Sequence, residues 1–403
     1  MPSEFASHWA LDPAIAFLNH GSYGAAPRAV LAAQQAWRDR MESEPVRFFS
    51  HDLEPALDRA RAALGAFVGV DPNDLAFVPN ATAGINTVLR SLRLNAGDEL
   101  LTTDHAYNAV KNALEYVAER DGATVVVAEV AFPSASPTDA IDRILAAVTE
   151  RTRLAVLDHI TSATALVLPI EELVAQLTAR GIETLVDGAH APGQVALDVP
   201  AIGATYYVAN LHKWLCAPKG SGFLWVRPDR QADIRPLAIS HGANSPRLDR
   251  SRFRAEFDWT GTADPSAYLA VPDAIRFGEE LMPGGWPALR ARNRALALAG
   301  RDRLCQALDV GPPAPDEMLG AMASVPLPLE RRPGVVQGVD LYGDPVHDQL
   351  AALGMQVMVT PWPQRPDGGP WRRLVRISAA AYNDLAQFDR LADALPAALA
   401  AAA

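Results

Sequence analysis

Lysine is nearly missing from this chain of 403 residues: only Lys111, Lys213 and Lys219 occur, so 33 of its 36 basic residues are arginine. A lysine kept against that trend points to amine chemistry, because a guanidinium stays protonated and does not condense with aldehydes as an amine does. Cysteine is scarcer still, with Cys216 and Cys305 alone. Two cysteines exclude a disulfide framework at this size and suit a reducing compartment, so a cytoplasmic protein is expected. No Cys-x-x-Cys or His-Glu-x-x-His spacing occurs, and no metal is expected. Positive charge is in deficit: the formal net charge of -11 disfavours nucleic acid, whose phosphates want a basic surface. No apolar run approaches the ~20 residues that span a bilayer. The stretch from Met1 to Ala10 carries Glu4 and His8 in place of a basic segment followed by an apolar one, so neither signal peptide nor membrane partner is expected.

The length allows two or three domains at ~150 residues each. From about residue 54 to 227 helix-period and strand-like segments alternate, which predicts an α/β fold with a largely parallel sheet. Leu57, Ala60, Leu64 and Phe67 share one helical face, as do Ile85, Val88, Leu89 and Leu92, then Ile141, Ile144, Leu145 and Val148, then Ile170, Leu173, Val174 and Leu177. Between them fall Thr124 to Val127, Leu154 to Leu157, Thr184 to Val186 and Phe223 to Val226, apolar on both faces as strands covered by helices are. After about Pro265 come a long helical stretch, a Pro/Gly-rich region from Pro312 to Pro333, the strand-like Leu374 to Ile377, and a helix opening at Asn383-Asp384. This predicts a smaller α+β domain, with the tail from Ala397 to Ala403 fraying.

Chemistry concentrates at Asp187, which ends the apolar Thr184-Leu185-Val186, and at Lys213, which follows the apolar run Tyr206 to Ala209. Ligands of parallel sheets gather at the carboxyl ends of strands. An acid there holds a pyridine nitrogen protonated, and a lysine one crossover later forms an imine with an aldehyde and moves protons at an α-carbon, which is the requirement of pyridoxal 5'-phosphate. Asn80-Ala81-Thr82-Ala83-Gly84 opens a helix whose free N–H groups suit a phosphate, although any N-cap has this look. Asp104-His105-Ala106-Tyr107-Asn108 brings two rings to a helix start; one would stack on the pyridine, and the sequence does not choose between His105 and Tyr107. Arg376 interrupts an apolar strand and suits bidentate binding of an α-carboxylate, or points to solvent. Arg247, Arg250, Arg252 and Arg254 read as a solvated surface loop in preference to an acid-selecting site.

Taken together, these segments resemble the class V aminotransferases of pyridoxal-phosphate fold type I, within them the isopenicillin N epimerase-like branch. The resemblance runs through Asn19-His20-Gly21-Ser22-Tyr23-Gly24, Pro79 to Gly84, Val186 to Gly193, Asn210 to Leu215, Trp259-Thr260-Gly261-Thr262, and Arg376-Ile377-Ser378 to Tyr382-Asn383. It implies a large domain at 26–265 with a mostly parallel, seven-stranded type of sheet, a small α+β domain at 266–403, and an N-terminal segment at 1–25 packed on the small domain. It implies that Lys213 is the Schiff-base lysine and Asp187 the pyridinium partner. Thr82, Ala83, Asn210 and His212 would contact the phosphate, with Ser162 and His190 near the ring hydroxyl. Thr262 would reach the phosphate of a neighbouring subunit in a homodimer, and Asn19 and Arg376 would face an amino-acid substrate.

The expected activity is epimerisation or racemisation at the α-carbon, with Lys213 as one proton carrier and Lys213 again, Tyr107, His190 or a water as the other. β-Elimination by a C–S lyase and transamination share the same residues. A binding module without catalysis is disfavoured because Lys213 and Asp187 are both present. No cysteine follows Cys305, so persulfide chemistry on a C-terminal loop is disfavoured.

Overall fold

In the computed structural model, which describes residues 3–330, 343–363 and 371–402, the short apolar runs become one seven-stranded sheet. Its strands are β1 Leu75–Val78, β2 Glu99–Thr103, β3 Thr124–Ala128, β4 Thr152–Asp158, β5 Glu183–Asp187, β6 Tyr206–Asn210 and β7 Gly222–Val226. Their spatial order is β1-β7-β6-β5-β4-β2-β3, with β7 antiparallel to both neighbours and the other pairs parallel.

Strand alternation explains the layers, since successive side chains point to opposite faces. Leu154 and Val156 enter a core shared with Ile85, Val88 and Leu89 of helix α1 (Ala81–Ser91) and with Val110, Leu114 and Val117 of α2 (Asn108–Asp121). Ala155 and Leu157 enter the opposite core with Ile141 and Ile144 of α3 (Pro137–Ala146) and Leu173, Val174 and Leu177 of α4 (Ile170–Ala179). The exception is β3, a sheet edge, where Val127 is 48% exposed.

A three-stranded antiparallel sheet follows: β8 Met322–Glu330, β9 Met358–Trp362 and β10 Trp371–Ser378, in the order β9-β10-β8. Strand β8 lies inside the Pro/Gly-rich region from Pro312 to Pro333, whose residues 331–333 fall outside the described residues. Pro326 and Pro328 are tolerated there because β8 is an edge strand, where a missing N–H breaks no second ladder. The closing helix α6 (Leu385–Ala401) starts at a capping box of Asp384 and Gln387 and packs on α5 (Gly285–Leu308). The helix runs through Ala401, into the tail expected to fray. Alanine has the best helix propensity, and Ala398 and Ala402 are buried with Leu395. Near the start of the chain, Ala16–Phe17 pair with Met355–Gln356, and the Ser378 N–H donates to the Leu18 carbonyl (2.8 Å), which sets Asn19 and His20 beside β10.

The arginine cluster expected to be solvated is only partly so. Arg247 and Arg252 are exposed, but Arg254 and Arg61 are buried and converge with Arg250 on Asp258. Arg254 also pairs with Asp58 at 2.5 Å. Removing one partner of a buried ion network strands the others, so Asp258→Ala is expected to destabilise the protein by about 3–5 kcal/mol. A urea midpoint unchanged from wild type would contradict that. No helix among the described residues is long and apolar enough to cross a membrane.

Candidate active site

The carboxyl edge of the main sheet carries two acids side by side. Asp187 ends β5, Asp158 ends β4, and the two are register partners, each 5% exposed. Asp187 Oδ1 accepts the Ala189 N–H at 2.9 Å. Burial raises the Asp187 carboxyl, opposed by that N–H and by Lys213. Asp158 is raised well above its usual value, first by burial and then by Asp187, with Lys111 and Lys213 opposing. The Tyr207 hydroxyl bonds His159 Nδ1 at 2.9 Å, and the Cβ-less Gly188 lies against that tyrosine.

The loop after β6 holds Lys213, whose Nζ lies 3.1 Å from His190 Nε2. The Trp214 indole N–H donates to His190 Nδ1 at 3.4 Å. An indole can only donate, so Nδ1 is an acceptor and this network assigns the imidazole proton to Nε2, facing the lysine. That pairing requires a neutral amine. Consistent with this, burial and then Arg376 lower Lys213 to about 7, against Asp187 and Asp158. Burial and the Lys213 charge hold His190 well below its usual value.

The N-terminal motif fixes this loop from the other side. His20 Nε2 bonds the Lys213 carbonyl (2.9 Å), its Nδ1 bonds the Tyr382 hydroxyl (2.8 Å), and burial lowers it to about 4. Gly24 and Gly193 have φ of 68° and 87°, and a Cβ at either would lie 2.0 Å from the His212 carbonyl oxygen or 2.3 Å from that of Trp214. The loop and its flanks therefore need glycine at both positions.

At the start of α1 the caps are divided. Asn80 Oδ1 accepts the Ala83 N–H (2.9 Å) and Asn210 Oδ1 accepts the Ala81 N–H (2.8 Å). Among the described residues, the Thr82 N–H and hydroxyl remain without an acceptor. His212 Nδ1 lies 3.1 Å from the Ser221 carbonyl and donates to it, and burial lowers this histidine to about 4, leaving Nε2 as a lone-pair site.

Arg376 is buried, not turned to solvent. Its Nη1 donates to the Ser162 carbonyl (2.7 Å) and Oγ (3.3 Å), and its Nη2 to Asn19 Oδ1 (3.1 Å) and Ser22 Oγ (2.9 Å). His105 is buried and lines a cleft with Tyr107 and Ser162: Nδ1 meets Thr164 Oγ1 at 2.6 Å, Nε2 meets the Val130 carbonyl at 2.9 Å, and the ring lies 4.4 Å from that of Trp362. Tyr107, at the N-cap of α2, is 40% exposed. Thr262 sits on an exposed loop, away from hydrogen-bond partners among the described residues.

Residues 17–320 match the family Aminotransferase class-V. The chain belongs to that family. It is 36% identical to isopenicillin N epimerase of Amycolatopsis lactamdurans over 399 residues, covering 96% of this chain and 95% of the relative. It is 30% identical to L-cysteine desulfhydrase of Arabidopsis thaliana over 420 residues, covering 98% and 89%. A solved structure of mutant C-DES, with glycine covalently linked to its pyridoxal-phosphate cofactor, superposes with a TM-score of 0.75 at 20% identity, covering 94% and 96%. The chain is therefore a class V enzyme with the fold of C-DES, a protein whose cofactor is pyridoxal 5'-phosphate. The residues present fit that group: a buried carboxylate with one oxygen left over, a desolvated amine, and a helix start with an unused N–H and hydroxyl.

Sequence reasoning missed Asp158, although its signal matched that of Asp187: an acid directly after an apolar strand run. It also gave no role to His20 or Trp214, whose contacts with the Lys213 loop come from segments far apart in the chain.

Proposed function

We propose that this chain epimerises or racemises an amino acid or amino-acyl side chain at its α-carbon. When bound, pyridoxal 5'-phosphate supplies an aldehyde for amines and a ring that accepts electrons from that carbon. In this reading Lys213 carries the cofactor as a Schiff base and removes and returns the α-proton, and the proton on His190 Nε2 keeps its amine in the basic form. Asp187 holds the ring nitrogen protonated. Thr82, with Ala83 and Asn210 shaping the helix start and His212 beside it, binds the phosphate; Ser162 and His190 lie near the ring hydroxyl. Arg376, oriented by Asn19, takes the substrate carboxylate. His190 lies on the Lys213 side, so Tyr107, carried by a separate segment, is the proposed second proton carrier. His105 supports that segment.

The observation that carries the reading is the 3.1 Å contact between Lys213 Nζ and His190 Nε2 beside buried Asp187. The epimerase relative favours inversion; the desulfhydrase relative favours β-elimination as the second reading. Incubation of L-amino acids in heavy water decides between them. Deuterium at the α-carbon with D-isomer accumulating is expected, whereas a 2-oxo acid and ammonia formed from cysteine or its conjugates would replace epimerisation by C–S lysis. We further propose a cytoplasmic homodimer. Exposed Leu237, which lines one cleft with Thr260 and Gly261 of the Thr262 loop, supports the pairing face, and the free cysteines support the compartment.

A further inference from the structure

A cleft of about 240 Å3 lies beside the Arg376 end of the site, between the segment from Asp104 to Asn112, the turn holding Ser162, and strand β9. Two contacts tie it to the site. Ser162 lines the cleft and accepts both Arg376 Nη1 bonds. Met358, on another wall, is the register partner of Arg376. A ligand held by Arg376 has this space next to it.

The walls state what would fit. Ala106, Ala163, Met358 and Trp362 are apolar and each at most 9% exposed. Tyr107 and Asn112, both exposed, add neutral hydrogen-bonding groups at the rim. Asp104 is the one acid among the described lining residues, and no lysine or arginine is among them. Its Oδ1 accepts the Val130 N–H at 2.9 Å. A carboxylate entering here would lose water, meet no cation among the described lining residues and approach that acid, while Lys111 and Arg376 beside the cleft are bonded to the Asp104 carbonyl and to Ser162. The volume nears the ~300 Å3 at which small-molecule sites begin, far more than a thiol or methyl group fills.

We propose that this cleft receives the side chain of the amino-acid substrate and selects a bulky, uncharged, largely apolar side chain over an acidic one. The assignment rests on the reading of Arg376 as the holder of the substrate carboxylate. If the reaction is elimination, it points to S-substituted cysteines rather than cysteine itself.

The test is a titration of the holoenzyme, followed by its visible absorbance, with three S-substituted L-cysteines: S-benzyl, S-carbamoylmethyl and S-carboxymethyl. The last two have nearly the same shape and differ in charge. Wild type is expected to bind the benzyl and carbamoylmethyl compounds at least about tenfold more tightly than the carboxymethyl one. Met358→Arg is expected to reverse the carbamoylmethyl to carboxymethyl preference, and Trp362→Ala to weaken the benzyl compound selectively. Equal binding of the amide and acid in wild type, or an unchanged ratio in Met358→Arg with the absorbance band intact, would overturn the inference while leaving the functional reading standing. A wild-type band unmoved by any amino acid would overturn the functional reading and this inference with it. Absorbance reports occupancy whether inversion or elimination follows, so the two failures are distinguishable.

Discussion

Lys213→Ala is expected to lower turnover by roughly a thousandfold or more, because it removes both the nucleophile and the proton carrier. Lys213→Arg should fare no better, since the guanidinium neither condenses nor deprotonates. Lys111 and Lys219 are poor substitutes. Their Nζ atoms are committed to the Asp104 and Gly24 carbonyls, at 2.7 and 3.2 Å. The wild-type amine should also show its low proton affinity. Burial holds Lys213 at about 7, so it is protonated below that pH and neutral above it. Capture of pyridoxal phosphate by the cofactor-free protein should therefore speed up as pH rises through about 7 and level off above it. Stopped-flow absorbance of the loading reaction measures this, and a rate still climbing steeply toward pH ~10, as an unperturbed lysine would give, contradicts it.

Asp187→Asn should lower turnover by about 10²–10³-fold, the scale seen when one preorganised electrostatic group is deleted from a reaction site. The same substitution should stabilise the cofactor-free protein near neutral pH. The sign follows from the raised Asp187 carboxyl: with the folded-state value above the unfolded one, the folded protein binds more protons in that window, and stability falls as pH rises above about 4. An amide removes the buried charge and that penalty. Urea denaturation of the two cofactor-free proteins at pH ~4 and ~7 is the check. The stability gap should widen in favour of the amide variant at the higher pH, and a variant less stable than wild type at pH ~7 would contradict the account. A variant that is more stable and less active also excludes unfolding as the cause of lost turnover.

Much of this arrangement was legible in the sequence for local reasons. An apolar run that alternates between two helix-covered cores reads as a strand, and an acid at its end reads as a site, so β4 to β6, Asp187 and the Lys213 loop stood out. What did not show depends on partners remote in the chain. Arg254 looked solvated because nothing near it announces that Asp58 lies 2.5 Å from its guanidinium. His105 and Tyr107 were equivalent as rings. Only the fold shows that Thr164, Val130 and Trp362 occupy the histidine while the tyrosine stays exposed. The prolines of β8 masked a strand because its edge position, which makes them harmless, is a property of the sheet. Asp158 obeyed the same local rule as Asp187 and could have been found; its pairing with Asp187 could not.

The scarcity of lysine makes the central claim directly measurable. Holoenzyme reduced with borohydride fixes any lysine-linked cofactor, and digestion with mass spectrometry then locates it among Lys111, Lys213 and Lys219. The account predicts the added cofactor mass on the peptide containing Lys213 and on no other. Label on Lys111 or Lys219, or none on a protein carrying stoichiometric pyridoxal phosphate, would contradict it.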